Sequence, residues 1–563
     1  MDDDILAFAL QNAVDHGGRA NFGSVMGKAM ALHPELRDNP ASASERVRSI
    51  VERVNSMGPE EQKAMLSDMG GPKKLEKRAR KTGLPELEGG EEGKLVMRFA
   101  PGPSGPLHIG HTRAAILNDE YCKRYGGKFI LRMEDTNPEK IDPEAYTMIQ
   151  EDLEWLGVKM DETYLQSDRF ELYYETVRKM LEVGAAYVCT EDTEVWRELK
   201  YKGMACSERN EPPENQLERW DRMLDSTYPE GAASLVIKTD LNHRNPAVRD
   251  FVGMRIRDTP HPKTGDRYRV YPLYNLSVAI DDHYMGCTHI LRGNDHLNNT
   301  FRQEYIYNHM GWDRPNFIHY GLVSIPETML KTSLIREEIR SGNYSGWGDI
   351  RIGTLRALNA RGFHPLSIRN YWIEVGMKSV DITFSWENLY AMNRTIIDRD
   401  ANRYFYVEDP LRIGFANEYE LKADIPLHPE VPERGNRHHV LKPVNGIIEV
   451  MVPSREMKEL ENGTVIRLKD LCNIRTPDGP EGIFKYAGKE PGDVRGGKGR
   501  IIHWAPVNGI EMSLIFPDGS ISTGVAESAV KEESIKGARV QLERVGYFKL
   551  FYDGSCKGNF THP

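Results

Sequence analysis

Apolar positions in the first 70 residues recur close to the helical period, with Ile5, Leu6, Phe8 and Ala9 in one run and Val47, Ile50, Val51 and Val54 in another. That pattern predicts a small helical domain. From Leu95 short apolar runs alternate with helical stretches, the arrangement that βαβ units and a parallel sheet produce. LVMRFA reads as a buried strand, TRAAILNDEYCKRY as a helix and KFILRM as the next strand, while WGDIRIGTLRALNARGF further on reads as helical. From about Phe405 the helical period fades. GIIEVMVP, TVIRLKDL and GIEMSLIFPDGSIS read there as short strands between Gly, Pro and Asp turns. The predicted organisation is a helical domain with a linker over 1–90 and an α/β domain over 91–345 with an insertion at about 190–270. A helical connection over 346–404 and an all-β region of barrels over 405–563 complete it.

Composition narrows the class without naming a function. At 563 residues the chain is too long for one core, and roughly three to five domains are expected. Hydrophobic residues make up 39% and charged residues 28%, and no apolar run approaches the roughly 20 residues a membrane span needs, so no membrane role is expected. The opening MDDDILAFALQ has neither a basic region nor a small-residue cleavage site, which predicts a cytoplasmic protein without a secretory signal. Cys122, Cys189, Cys206, Cys287, Cys472 and Cys556 lie far apart with no CxxC pair. That fits neither a disulfide framework nor a common zinc spacing, so reduced thiols and no protein-bound metal are expected. The net charge of −10 does not exclude a nucleic-acid partner, because a basic face can exist on an acidic protein. Lys73, Lys74, Lys77, Arg78, Arg80 and Lys81 read either as a solvated linker or as a contact for nucleic-acid phosphate.

Chemistry enters with RFAPGPSGPLHIGH, Arg98 to His111, between the first strand and the first helix of the α/β domain. A Gly/Pro turn leading into a helix N-terminus presents backbone N–H groups and the positive end of the helix dipole to an anion, so phosphate is the natural ligand. His108 and His111, three apart, can serve one phosphoryl oxygen. Gly105 and Gly110 are expected to leave room for a nucleotide to approach the backbone. Either histidine alone would read as a structural residue; the pair in this context reads as functional.

HIGH is the first signature of class I aminoacyl-tRNA synthetases, and RFAPGPSG before it resembles the glutamyl branch, whereas glutaminyl enzymes carry a string closer to RFPPEPNG. In that family the two histidines stabilise the α-phosphate in its five-coordinate transition state, a role that falls to His108 and His111. Met329, Leu330, Lys331, Thr332 and Ser333 resemble the family's mobile KMSKS loop, with Thr328 and Leu330 replacing its first lysine and its serine. A mobile ammonium, here Lys331, acts best on charge that builds on departing pyrophosphate. In LRMEDTNP, Glu134 resembles the residue that binds the substrate ammonium, and Asp135 beside it reads as a helix cap. YPLYNLSVAIDDHYMGCTHILRGNDHL places Tyr274 and Arg292 at the family's separation. The resemblance implies that Arg292 pairs with the α-carboxylate while Arg98 and Tyr274 face the side-chain carboxylate, a task that suits the two-pronged guanidinium. Ser104 joins the expected substrate contacts. Pro101, Gly105, Gly110, Asp295 and Met329 join the histidines and Lys331 on the expected ATP surface. The family's further asparagine, four residues after Tyr274, is here Val278.

The insertion ASLVIKTDLNHRNPAVRDFVGMRI resembles the family's acceptor-stem-binding insertion, though its KTD, HRN and VRD charges also fit a solvated surface. The β-rich half, closing with VQLERVGYFKLFYD, resembles the two anticodon-reading barrels of the archaeal glutamyl and glutaminyl group. The resemblance thus spans about Leu95 to Asp553. It implies a Rossmann-like, doubly wound core, ATP with Mg²⁺ as substrate and no tightly bound metal. The implied partners are L-glutamate and tRNA(Glu), with tRNA(Gln) left open, for a chain acting as a monomer. A glutaminyl-tRNA synthetase and a small-molecule HxGH nucleotidyltransferase are the rival readings; the long insertion and the β half argue against the second.

Overall fold

The computed structural model describes residues 1–37, 40–71, 83–479, 483–491, 494 and 500–563. Two compact units divide the chain, Met1–Thr82 and Gly83–Pro563. In the first, helices α1 (Asp2–Asp15), α2 (Phe22–Leu32), α3 (Pro40–Asn55) and α4 (Pro59–Asp68) pack around Ile5, Phe8, Leu10, Val25, Val47 and Val54. The helical period thus becomes a bundle whose apolar stripes meet. Buried Gln62 holds the loops between helices by donating to the Gly18 and Val54 carbonyls at 3.0 and 2.9 Å. The basic run Lys73–Lys81 lies outside the described residues.

The second unit opens with residues 84–88 laid on the α/β core, where Tyr121 donates to the Pro85 carbonyl and the Leu87 N–H donates to Tyr125. Strands β1 (Val96–Phe99), β2 (Lys128–Met133) and β3 (Glu162–Leu165) form a parallel sheet, with helix α5 (Ile109–Arg124) connecting β1 to β2 and α6 (Ala145–Trp155) connecting β2 to β3. Beyond helix α7 (Phe170–Glu182) comes an antiparallel sheet of β4 (Ala186–Cys189), β5 (Ser234–Ile237), β6 (Phe251–Ile256) and β7 (Val270–Pro272), with helices α8 (Thr193–Lys202) and α9 (Pro213–Leu224) between β4 and β5. This is the insertion. Its Arg249 and Asp250 are not a solvated face: Asp250 is buried and accepts from Tyr187, Arg209 and the Thr239 N–H, and Arg249 donates to three backbone carbonyls.

The chain then returns to the core through α10 (Tyr274–Tyr284), β8 (His289–Gly293), α11 (Leu297–Met310) and β9 (Asn316–Tyr320), with β8 and β9 parallel. The Thr288 N–H donates to the Val96 carbonyl at 3.0 Å, which sets the two-stranded β8–β9 sheet beside β1 of the three-stranded sheet. Val278 is fully buried in α10. Of the stretch 347–363, which reads as helical, only α12 (Leu355–Arg361) is helix. Gly348 and Gly353 weaken the earlier part, and Thr354 is the cap, its hydroxyl accepting from the Ala357 N–H at 3.1 Å. Helices α13 (Pro365–Val375) and α14 (Trp386–Ile397) complete the helical connection.

The β-rich part begins at Asn402 and holds, among the described residues, two seven-stranded sheets with separate cores. One contains Asn402–Tyr404 and Tyr406–Glu408 together with the last five strands, from Ile510–Ile515 to Cys556–His562; the other is made of strands between Pro410 and Pro506. The second sheet is therefore an excursion from the first. Helix α12 docks on the closing strands, with the buried Arg361 donating to the Phe560 and Thr561 carbonyls at 3.2 and 2.9 Å.

Candidate active site

A cavity of about 520 Å³ opens at the carboxyl ends of β1, β2, β8 and β9. Arg98, Pro101, His108, Gly110, His111, Glu134, Tyr274, Arg292 and Asp295, all singled out from sequence, line it. Ser104, Gly105, Met329 and Lys331 do not.

The two histidines form a capping box at the N-terminus of α5, where the Gly110 N–H donates to His108 Nδ1 at 3.1 Å and the His108 N–H donates to His111 Nδ1 at 3.3 Å. Their rings stack with centroids 3.6 Å apart. Burial lowers the His108 pKa to about 4; burial and then His108 keep that of His111 well below the ordinary value. Both rings are therefore neutral near pH 7. Because each Nδ1 accepts a backbone N–H, each ring carries its proton on Nε2, which has no protein partner among the described residues. Two neutral Nε2–H donors are thus prepared by local hydrogen bonding alone. The Leu107 N–H just before them is held by buried Asp152 at 2.8 Å, whose carboxyl is pushed up to about 7 by burial.

Gly105 makes a close approach to the second signature. A Cβ there would lie 2.5 Å from Thr332 Cγ2 and 3.3 Å from the Trp347 ring, so this turn packs against the segment after Lys331. Lys331 itself is exposed, next to the helix Thr332–Arg340. Arg336 of that helix donates to the Ser104 carbonyl and pairs with Asp142 at 3.1 Å. Gly353 joins the two signatures: its carbonyl accepts from the Ile109 N–H at 3.0 Å and its N–H donates to the Met329 carbonyl at 3.1 Å.

The amino-acid end of the cavity is built from charges. Arg98 grips Asp282 with Nε and Nη2, at 3.0 and 3.4 Å, so its guanidinium is partly engaged, while Nη1 has no acceptor among the described residues. Glu134 accepts from Arg132 at 3.2 Å; burial raises its pKa against the pull of Arg132 and Arg98. Asp135 is not a helix cap but a buried anchor, accepting from Tyr146 and from the N–H and hydroxyl of Ser167. Tyr274 is pushed up to about 12 by burial and lies 3.5 Å from Arg292 Nη1, while Arg292 Nη2 donates to Thr300 and Gln303 at 2.6 and 2.9 Å.

Arg113, Asn118, His296 and Tyr320 also line the cavity and were not singled out from sequence. Arg113 lies two residues after the HIGH string, the one local signal that pointed to it. It donates to the Gly321 and Gly376 carbonyls at 2.7 and 2.8 Å and stacks 4.3 Å above Tyr320. Among the described residues one group has metal-ligand character, Cys189, Cys206 and Glu208, with sulfurs 3.9 Å apart. The fold joins cysteines whose spacing suggested no site. Glu208 is already committed to Thr190 and Ser207.

Neutral histidine donors at a helix N-terminus, placed at parallel strand ends beside a pocket of paired charges and followed by β-sheets, define the class I tRNA synthetases. The family of class I tRNA synthetases (E and Q) matches here twice, its catalytic domain over residues 94–399 and its anticodon-binding domain over 401–484. The chain belongs to this glutamyl and glutaminyl family. It is 45% identical to a glutamate–tRNA ligase of Methanopyrus kandleri over 99% of this chain and 98% of the relative. It is 45% identical to that of Thermoplasma volcanium over the full length of both. To that of Pyrococcus abyssi it is 47% identical over 97% of this chain and 96% of the relative.

Proposed function

We propose that this chain is a glutamate–tRNA ligase, activating L-glutamate with ATP and transferring it to the terminal ribose of tRNA(Glu). The observation that carries this reading is one cavity in which the HIGH pair meets Arg98, Glu134, Tyr274 and Arg292. We read the β1–β2–β3 and β8–β9 sheets together as the family's Rossmann-like core, with ATP across their strand ends as expected for such sheets.

In the first step the glutamate α-carboxylate attacks the α-phosphate of ATP, which arrives with its Mg²⁺, giving glutamyl-adenylate and pyrophosphate. The Nε2–H groups of His108 and His111 donate to the phosphoryl oxygens as charge builds there, and Lys331 follows the departing pyrophosphate when its loop closes. Glu134 takes the ammonium, Arg292 the α-carboxylate, and Arg98 with Tyr274 the side-chain carboxylate. The ribose 2′-hydroxyl then displaces AMP. No nucleophilic side chain is required, because positioning and charge stabilisation carry the rate. The insertion holds the acceptor stem and the two β-sheets read the anticodon, in a cytoplasmic monomer.

The test is ATP–pyrophosphate exchange with tRNA present, comparing glutamate with glutamine. Glutamine offers the free arm of Arg98 a neutral amide in place of a carboxylate, a loss of about 1.5–3 kcal/mol for a charge-assisted hydrogen bond, or roughly ten- to a hundredfold. Wild type should prefer glutamate by that margin, and Arg98→Ala should erode the preference by weakening glutamate. A wild-type preference for glutamine would replace this reading with the glutaminyl one. Charging tRNA(Glu) and tRNA(Gln) side by side sets the breadth of tRNA use.

A further inference from the structure

Arg98 and Glu134, assigned above to opposite ends of the amino acid, are held by a pair that does not line the cavity. Asp282 on α10 accepts from Arg98 Nε at 3.0 Å and from Arg132 Nη1 at 2.6 Å through one carboxylate oxygen, Oδ1. Arg132, in β2, reaches on through Nη2 to Glu134 at 3.2 Å. Both are fully buried, at 1% and 0% exposure, so no water can substitute for either partner. Asp281, next along, is anchored from the other side by Arg169 at 2.7 Å, Gln166 at 2.8 Å and Tyr173 at 2.7 Å, and its Oδ2 lies 3.8 Å from Arg132 Nε. The chain Arg98–Asp282–Arg132–Glu134 is thus continuous and fixed at its base.

We propose that Asp282 and Arg132 are positioning residues for amino-acid recognition, setting the side-chain contact and the ammonium contact against each other through one shared carboxylate oxygen. Charge gives a second reason for the arrangement. The cluster holds four guanidinium groups, Arg98, Arg132, Arg169 and Arg292, against three carboxylates, Glu134, Asp281 and Asp282. Arg292 is the member that makes no ion pair among the described residues; its charge is met by neutral Tyr274, Thr300 and Gln303. Arg113 and Asp295, which also line the cavity, add one charge of each sign, so the pocket carries one excess positive charge. An amino acid with one ammonium and two carboxylates cancels it; the corresponding amide does not. Asp282 and Arg132 set that excess as much as the contact residues do.

This inference rests on the assignment of Arg98 and Glu134 to substrate, and the experiment separates the two. Asp282→Asn keeps the shape but turns one acceptor oxygen into an amide that faces a guanidinium N–H. Arg132→Lys keeps the charge but cannot span Asp282 and Glu134 together. In tRNA-supplemented ATP–pyrophosphate exchange each should raise the KM for glutamate at least tenfold while the KM for ATP stays within twofold of wild type. A merely structural role would move both constants together or lower the active fraction alone, and either result overturns the proposal. Should Asp282→Asn fail to fold, Arg132→Lys carries the test. Glu134→Gln serves as the reference. If it raises the glutamate KM and the other two do not, the positioning role fails alone; if it leaves that KM unchanged, the site assignment fails and the positioning role with it.

Discussion

His108 and His111 are prepared by backbone donors, and this has a pH consequence. Their folded pKa values lie at about 4 and well below 6.5, whereas the unfolded value is 6.5. Above pH 6.5 both states bind the same protons and stability is unaffected. As pH falls from 6.5 toward 4 the unfolded chain takes up protons that the folded rings refuse, so the fold weakens. Activation should therefore show no inflection near pH 6.5 from these rings. A step in kcat/KM near 6.5 that vanishes in His108→Ala would overturn the neutral-donor assignment. His111→Ala should lower the activation rate roughly 10²-fold, the usual loss for one transition-state donor, with the protein still folded by circular dichroism.

Among the elements, β9 ends at a crossing that only glycine permits. A Cβ on Gly321 would sit 1.9 Å from the Val380 carbonyl oxygen, backbone against side chain, with no rotamer to relieve it. The same residue donates to the Lys378 carbonyl, accepts from Arg113 and lines the cavity. Gly321→Ala should therefore lower stability by about 1–3 kcal/mol in denaturant titration, in line with other overpacked sites. The ATP KM should rise as well, because Arg113 loses its anchor. A stable variant with unchanged ATP binding would show that the 378–381 segment yields freely.

For the molecule as a whole, the second unit is closed by its own end. Arg361 is buried between α12 and the last strand, its guanidinium over the Phe363 and Trp386 rings at 5.0 and 5.6 Å and its N–H groups on the Phe560 and Thr561 carbonyls. Cutting the chain near Phe405 would remove these acceptors together with the strands that cover Arg361. Such a truncation tests stability as well as anticodon reading. Arg361→Ala is the cleaner probe, expected to cost about 1.5–3 kcal/mol for hydrogen bonds to a charged group and to lower the melting temperature. Unchanged melting would mean that the closing strands are held by other contacts.

What was legible in the sequence was what depends on near neighbours. A strand, a Gly/Pro turn and a helix N-terminus with histidines three apart is a local construction, and a capping box closes within four residues, so RFAPGPSGPLHIGH announced the phosphate end of the site. The bundle, the parallel strands and the β-rich half followed from periodicity for the same reason. Tertiary structure alone decided the rest. Nothing in LRMEDTNP or VAIDDHYM shows that Arg132 and Asp282 meet across 150 residues, because burial of charge is a property of the packed core and not of spacing. Nothing near Gly105 in the sequence shows that Thr332 and Trp347 pack against its turn. Residues 402–404 read as the end of the helical connection, yet Asn402–Tyr404 and Tyr406–Glu408 are strands that pair with strands beyond Ile510, since sheet hydrogen bonds join whichever edges the fold brings together.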